Sequence, residues 1–497
     1  MMDKRKSLNL PAQPIYFIIL FIVIYTPFEE FILKWIPGSS IVPFILRFIP
    51  EITCYLLCLG LFAQKILQGK KIRRTPIDPV LISLFLFWAL IVIIVNDASI
   101  FASLDNLRSL MRYVTVFYII VNINLSKAQI SLLINSILAV AIIQGFLVML
   151  QYIAPPSFNQ LFAVGEIDIG EFQRSTEVSN SNLKAGAVNG TFVTTDALTT
   201  FFLIPLTILF AKAYVNFRHL IPKFKYLIAI AIFYFGIFAA LKRVSLIVSL
   251  IIPLIVLIFS GNKKQATKII FFISLILFIF ILVITIINGG IEIQRITEYE
   301  YRKADSFNFN YLLQIFTPEY IESSSRNERL WFVLVTFRSL WESGQWFGLS
   351  PDPDIAISTL ANFVSDPREK LQIIERMRMF EDVYWIAMLI YYGIPGVTIF
   401  IAMLARLFQA SQWLINNSSD NSTKPNYQFL GVILCTLIIT VIFYSFISRI
   451  LEFRAFGLYF WLMAGLVVNA CYQLNSNSLG EGTKTNVVGF TAKYTSN

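Results

Sequence analysis

Three groups of residues have the types and spacing to do chemistry. Arg243 sits in Ala239-Ala240-Leu241-Lys242-Arg243-Val244-Ser245, a tight turn between two apolar stretches where nothing local demands a cation. An arginine at membrane depth costs about 2.5–3.5 kcal/mol on insertion scales, so its default interpretation is functional. Its planar fork matches phosphate oxygens two at a time; the competing interpretation is a side chain snorkelling to headgroups. Arg326 and Arg329 lie in Ser325-Arg326-Asn327-Glu328-Arg329-Leu330-Trp331-Phe332. Three apart on a helix, they share a face and could meet one anion, helped by helix N-terminal amides capped from Ser323–Ser325. Alternatively they are solvated or paired with Glu328. Glu381-Asp382 precedes a long apolar run, with Arg378 just upstream. A carboxylate held against an apolar wall near arginines can take a proton from an acceptor hydroxyl. Acids also suit any helix start, and adjacent residues cannot both point into one cleft.

Other groups have plainer explanations. Arg449 and Glu452, three apart, pair with each other rather than act. Lys242 is expected to contact headgroups. His219, the one histidine, sits in a basic loop and is incidental. Cys54, Cys58, Cys435 and Cys471 lie in or at the ends of apolar runs, where small packing residues are expected rather than disulfides or a metal site. No phosphate-binding loop, dinucleotide fingerprint or metal triad is present. Neither metal nor cofactor is expected.

The elements that must position these groups follow from composition. The 497 residues are 57% hydrophobic and 14% charged, against about a quarter charged in soluble domains. Repeated apolar runs of about 20 residues mean a polytopic membrane protein. The runs are continuous rather than alternating, so they are helices and not barrel strands. The net charge of +10 reflects Lys and Arg collecting in cytoplasmic loops rather than a nucleic-acid stripe.

An all-α polytopic fold of about twelve transmembrane helices follows, with one large outer loop between the ninth and tenth. Spans fall near 14–28, 46–65, 78–95, 107–122, 128–153, 191–213, 226–241, 244–260, 268–287, 383–408, 427–447 and 453–472. The first is an uncleaved helix, since no small-residue cleavage site follows it. The chain thus divides into a bundle of nine spans (1–287), a polar extracytoplasmic loop with short helices (288–382), three further spans (383–473) and a polar cytoplasmic tail (474–497), disordered by composition. Both termini and nearly all basic clusters then fall on the cytoplasmic face.

Four stretches, in order, resemble the O-antigen polymerase and O-antigen ligase superfamily of bacterial inner membranes. They are Gly190-Thr191-Phe192 with Asp196-Ala197-Leu198; Leu241-Lys242-Arg243-Val244-Ser245; Arg326-Asn327-Glu328-Arg329-Leu330-Trp331 followed by Trp346-Phe347-Gly348-Leu349; and Asp382-Val383-Tyr384-Trp385 through Gly393-Ile394-Pro395-Gly396. The resemblance covers roughly 190–400 and the span pattern. Lys242 stands where the family has Ser, and Asp382 where its ligases have His, which favours a polymerase.

The resemblance implies metal-independent, inverting glycosyl transfer on the outer face of the plasma membrane. Undecaprenyl-diphosphate-linked oligosaccharides are then both donor and acceptor. Membrane lipid and a chain-length regulator are the further partners it admits. Arg243 and Arg329 would hold the donor diphosphate with Arg326 as helper, and Asp382, or Glu381 beside it, would be the base. Two alternatives remain: ligation of a finished glycan onto a lipid or protein, and transport of the same lipid-linked sugars. Transporters often carry internal repeats and mid-membrane charges; no repeat is seen here. A purely structural subunit would not explain Arg243.

Overall fold

The computed structural model describes residues 12–36, 41–96, 98–153, 188–216, 224–240, 242–260, 329–364, 366–375, 383–418 and 427–480. Among them every regular element is helical: α1 (Ala12–Tyr25), α2 (Glu29–Lys34), α3 (Ile41–Leu67), α4 (Asp78–Val95), α5 (Ile100–Met111), α6 (Val114–Asn122), α7 (Lys127–Ile153) and α8 (Thr195–Ala211). There follow α9 (Phe224–Ala239), α10 (Arg243–Phe259), α11 (Arg329–Ser343), α12 (Pro353–Asn362), α13 (Pro367–Glu375), α14 (Tyr384–Ser418), α15 (Gln428–Tyr444) and α16 (Arg454–Gly480).

Seven of the described helices are long and apolar enough to cross a membrane, and α9, α10 and α15 are shorter apolar helices. This is a multi-pass membrane protein. In hydrocarbon only intrahelical bonding satisfies each backbone group, which is why apolar runs become helices.

The expected fourth span is broken. α5 ends at Met111 and α6 starts at Val114, with Arg112 turned into the protein between them. The expected connection at 29–45 is partly the short helix α2, and α3 starts at Ile41 rather than near 46. The ninth span (268–287), most of the large loop (288–328) and His219 lie outside the described residues.

Helices α8 and α16 form the centre, and almost all their side chains are buried. α8 packs on α9, α10 and α15, and α16 on α6, α14 and α15. Close approach of α16 to α6 depends on a small residue, as between membrane helices generally. A Cβ on Gly465 would lie 2.9 Å from the Ile120 side chain and 3.1 Å from the Phe117 carbonyl oxygen. By contrast α3 and α4 turn bare apolar side chains outward, among them Leu56, Leu59, Phe87 and Ile94.

α14 is two helices in one. Gly393 has φ 66° and ψ −171°, a conformation that L side chains rarely adopt. The polar segment after α11 fills the break. Leu349 N donates to Ile390 O at 2.7 Å and Ile394 N to Trp346 O at 2.9 Å, while Trp88 Nε1 donates to Tyr392 O at 2.7 Å. Gly348, with φ 96°, lies back to back with Gly393. A Cβ on Gly393 would stand 2.3 Å from the Phe347 carbonyl carbon, and one on Gly348 2.9 Å from Tyr391 O.

Candidate functional site

One end of the bundle gathers the ends of α7, α9 and α15 with the starts of α8, α10, α14 and α16. Lys242 Nζ meets Asp196 Oδ2 at 2.8 Å, joining the turn before α10 to the first turn of α8. Lys242, expected to contact headgroups, is therefore half of an ion pair. Ser245 Oγ bonds Thr199 Oγ1 at 2.8 Å and shares a 2.7 Å contact with Tyr444 OH at the end of α15. Trp385 N donates to Ser445 O at 3.3 Å and its indole Nε1 to Ile442 O at 3.0 Å. Thus α8, α10, α15 and α14 meet at one junction.

Three irregular segments reach below the helix ends here. The 188–194 segment is held on α7, where Gly190 N donates to Gln151 Oε1 at 2.8 Å and Gln144 Nε2 to Thr191 Oγ1 at 2.5 Å. Gln144 lies nine residues before the end of α7, a depth of about 13 Å at 1.5 Å per residue. The 346–352 segment reaches Ile390–Ile394 on α14. The turn between α15 and α16 brings Arg449 to within 6.0 Å of the Tyr391 ring centroid. Non-helical backbone at membrane depth persists only where protein buries it or where it lines a cavity.

The floor of this region is an ionic network that the sequence reading missed. Arg454 Nη1 donates to Glu29 Oε1 at 2.5 Å and to Arg47 O at 2.8 Å, and Nη2 to Glu51 Oε1 at 3.0 Å. Glu51 also meets Arg112 Nε at 3.0 Å and Arg108 Nη1 at 2.8 Å, and Arg108 reaches Asp105 at 2.7 Å. Glu29 and Glu51 are buried, 0% and 1% exposed, and such carboxylates persist only when paired. Arg112 Nη1 continues the chain to Glu452 O at 3.2 Å, and Glu452 pairs with Arg449 at 3.0 Å, the partnership expected from their spacing. One signal was there to read: Glu51 lies inside an apolar run, where an acid demands a cation on another helix.

The expected site residues fare unequally. Arg243 is the first residue of α10 and Arg329 the first of α11. Arg326, Glu381 and Asp382 lie outside the described residues, although Asp382 directly precedes Val383 and the start of α14. The junction therefore joins the helix that Arg243 opens to the helix that follows Asp382. It also brings in the segment downstream of α11. Among the described residues no group of three His, Cys, Asp or Glu is placed to hold a metal ion. All four cysteines are free, and three of them are buried.

The opposite end closes differently. Asn122 Oδ1 takes Lys65 Nζ at 2.8 Å and Arg73 N at 3.0 Å. Arg73 Nη1 caps α6 at Val121 O, 2.8 Å away. Burial holds the Arg73 guanidinium below the ordinary arginine range. Asn469 Nδ2 bonds Ile120 O and Ile123 O at 2.7 Å each, and Gln473 takes Tyr427 OH at 2.7 Å while giving Nε2 to Leu125 O at 2.7 Å.

No protein-family model matches this chain, and no curated protein matches it.

Proposed function

We propose that the protein is a membrane glycosyltransferase that polymerises undecaprenyl-diphosphate-linked oligosaccharides into polysaccharide. On this reading the bundle has twelve spans in a bacterial plasma membrane, both termini are cytoplasmic, and the large loop is outside. One observation carries it: the start of α10, the start of α14 and the 346–352 segment are joined at a single junction, through Ser245–Tyr444, Trp385–Ser445 and Leu349–Ile390. Two of these stretches adjoin candidate residues, Arg243 as the first residue of α10 and Asp382 next to Val383 just before α14, and the third lies downstream of the helix that Arg329 opens.

The chemistry is a single displacement. An acceptor sugar hydroxyl attacks the anomeric carbon of the donor as the bond to the diphosphate oxygen breaks, which inverts that carbon. Asp382, or Glu381 beside it, receives the hydroxyl proton. Undecaprenyl diphosphate departs with the bonding electrons, and Arg243, Arg329 and Arg326 stabilise its growing charge. The diphosphate is itself a good leaving group.

The break in α14 favours a second reading, transport of the same lipid-linked sugars, because transporters bind substrate at broken helices. Against it, the 346–349 segment and Trp88 already occupy groups freed by the break. The deciding experiment incubates the purified full chain in vesicles with a lipid-diphosphate oligosaccharide. A ladder of products supports polymerisation; a single transfer supports ligation; relocated but unextended substrate supports transport. Arg243→Ala and Arg329→Ala should each abolish extension with protein still in the membrane, and Asp382→Asn should slow it more than Glu381→Gln. Normal chain lengths in both arginine variants would remove the diphosphate assignment.

A further inference from the structure

The first half of α14 carries more hydrogen-bonding capacity than the fold uses. Tyr384 and Tyr392 are 2% and 0% exposed, and neither hydroxyl has a hydrogen-bond partner. Both rings are fixed, Tyr384 against Phe400 at 5.7 Å and Tyr392 against Phe85 at 5.4 Å between centroids. On the neighbouring helix α15 the hydroxyl of Thr440, and just past its end that of Ser445, are also buried and unpartnered. Buried tyrosine hydroxyls nearly always find a partner, and phenylalanine would fill the same space without the cost of stranding one. Two such tyrosine hydroxyls on one half-helix, with two more stranded hydroxyls on the helix packed beside it, point to a polar ligand.

The charge of the surroundings narrows the ligand. Glu452 and Arg449 lie within electrostatic reach of both tyrosine hydroxyls, but they pair with each other at 3.0 Å and cancel. Lys242 and Asp196 likewise cancel. Hydroxyls that both donate and accept, beside neutralised ion pairs, suit a neutral polyol better than an anion.

We infer that this junction is a subsite for the hydroxyl groups of a sugar, distinct from the arginines assigned to the diphosphate. The inference rests on the glycosyl-transfer reading and names the part of the substrate bound here. The 346–352 segment covers this half-helix through the Leu349–Ile390 and Trp346–Ile394 bonds, so it must lift for the sugar to reach the hydroxyls.

Two probes test it on the purified full chain: an oligosaccharide released from its lipid diphosphate by mild acid, and undecaprenyl diphosphate without sugar. Tyr384→Phe and Tyr392→Phe keep ring volume and remove only the hydroxyl. Each should weaken oligosaccharide binding about tenfold, leave undecaprenyl diphosphate binding unchanged, and leave thermal stability equal or higher. Unchanged oligosaccharide binding in both variants overturns the subsite, as does equal weakening toward the two probes or a wild-type chain that ignores the oligosaccharide. A wild-type chain that binds the oligosaccharide but not undecaprenyl diphosphate keeps the subsite and ends the diphosphate assignment.

Discussion

At the Lys65 end, polar side chains answer one another. Asn122, Asn469, Gln473, Arg73 and Tyr472 bond helix-end carbonyls or each other, so that end reads as a closed seam. The Glu29 end has a network too, built from ions, and hydroxyls remain above it without partners. Among the described residues, the connections after α3 and α6 at the Lys65 end are tied across helix tips, whereas the 188–194 and 346–352 segments at the Glu29 end descend among the helices. A bundle needs its polar groups satisfied where it is only structure. Surplus hydrogen-bonding capacity at one end therefore sets that end apart from the seam, as the proposed sugar subsite requires.

The comparison breaks most readily at Arg454. Replacing it by Met leaves Glu29 buried without the guanidinium that pairs with it and Glu51 with only Arg108 and Arg112, a loss of about 3–5 kcal/mol. Thermal unfolding in detergent should show a large drop; an unchanged midpoint would mean that the network does not hold this end. Gly393→Ala comes next, since it forces a positive φ costing about 1–3 kcal/mol and drives a Cβ into the Phe347 backbone. Hydrogen exchange should then rise at 346–352 and 390–394 while the Lys65 end stays protected. Asn469→Leu attacks the seam itself, stranding the Ile120 and Ile123 carbonyls at about 1–3 kcal/mol; stability should fall while substrate affinity holds. The smallest stability effect is expected for Ser445→Ala. Its hydroxyl has no partner to lose, so the midpoint should move by less than about 0.5 kcal/mol equivalent, and any functional change should appear in oligosaccharide binding alone.

Much of the scaffold was legible in the sequence. Continuous apolar runs predicted α1, α7, α8 and α15 with ends only a few residues off, because span length is set by bilayer thickness and helix rise. The Arg449–Glu452 pair was legible from spacing alone. Pairing of Lys242 with Asp196 was not, since its partner lies 46 residues away. Nor was the arginine–glutamate floor, whose members come from α2, α3, α5, the α5–α6 turn and α16. The break at Gly393 could be suspected from Gly393-Ile394-Pro395, but not the segment that fills it.

By itself the sequence determined that the chain must be helical and embedded, since hydrocarbon leaves an apolar run no other way to bond its backbone. It also determined where each run must end, at clusters of charge and at Pro and Gly. Tertiary structure alone decided which buried charges face one another, and which hydroxyls are left facing none. Those outcomes depend on the azimuth and depth at which separate helices pack, and no local pattern encodes either.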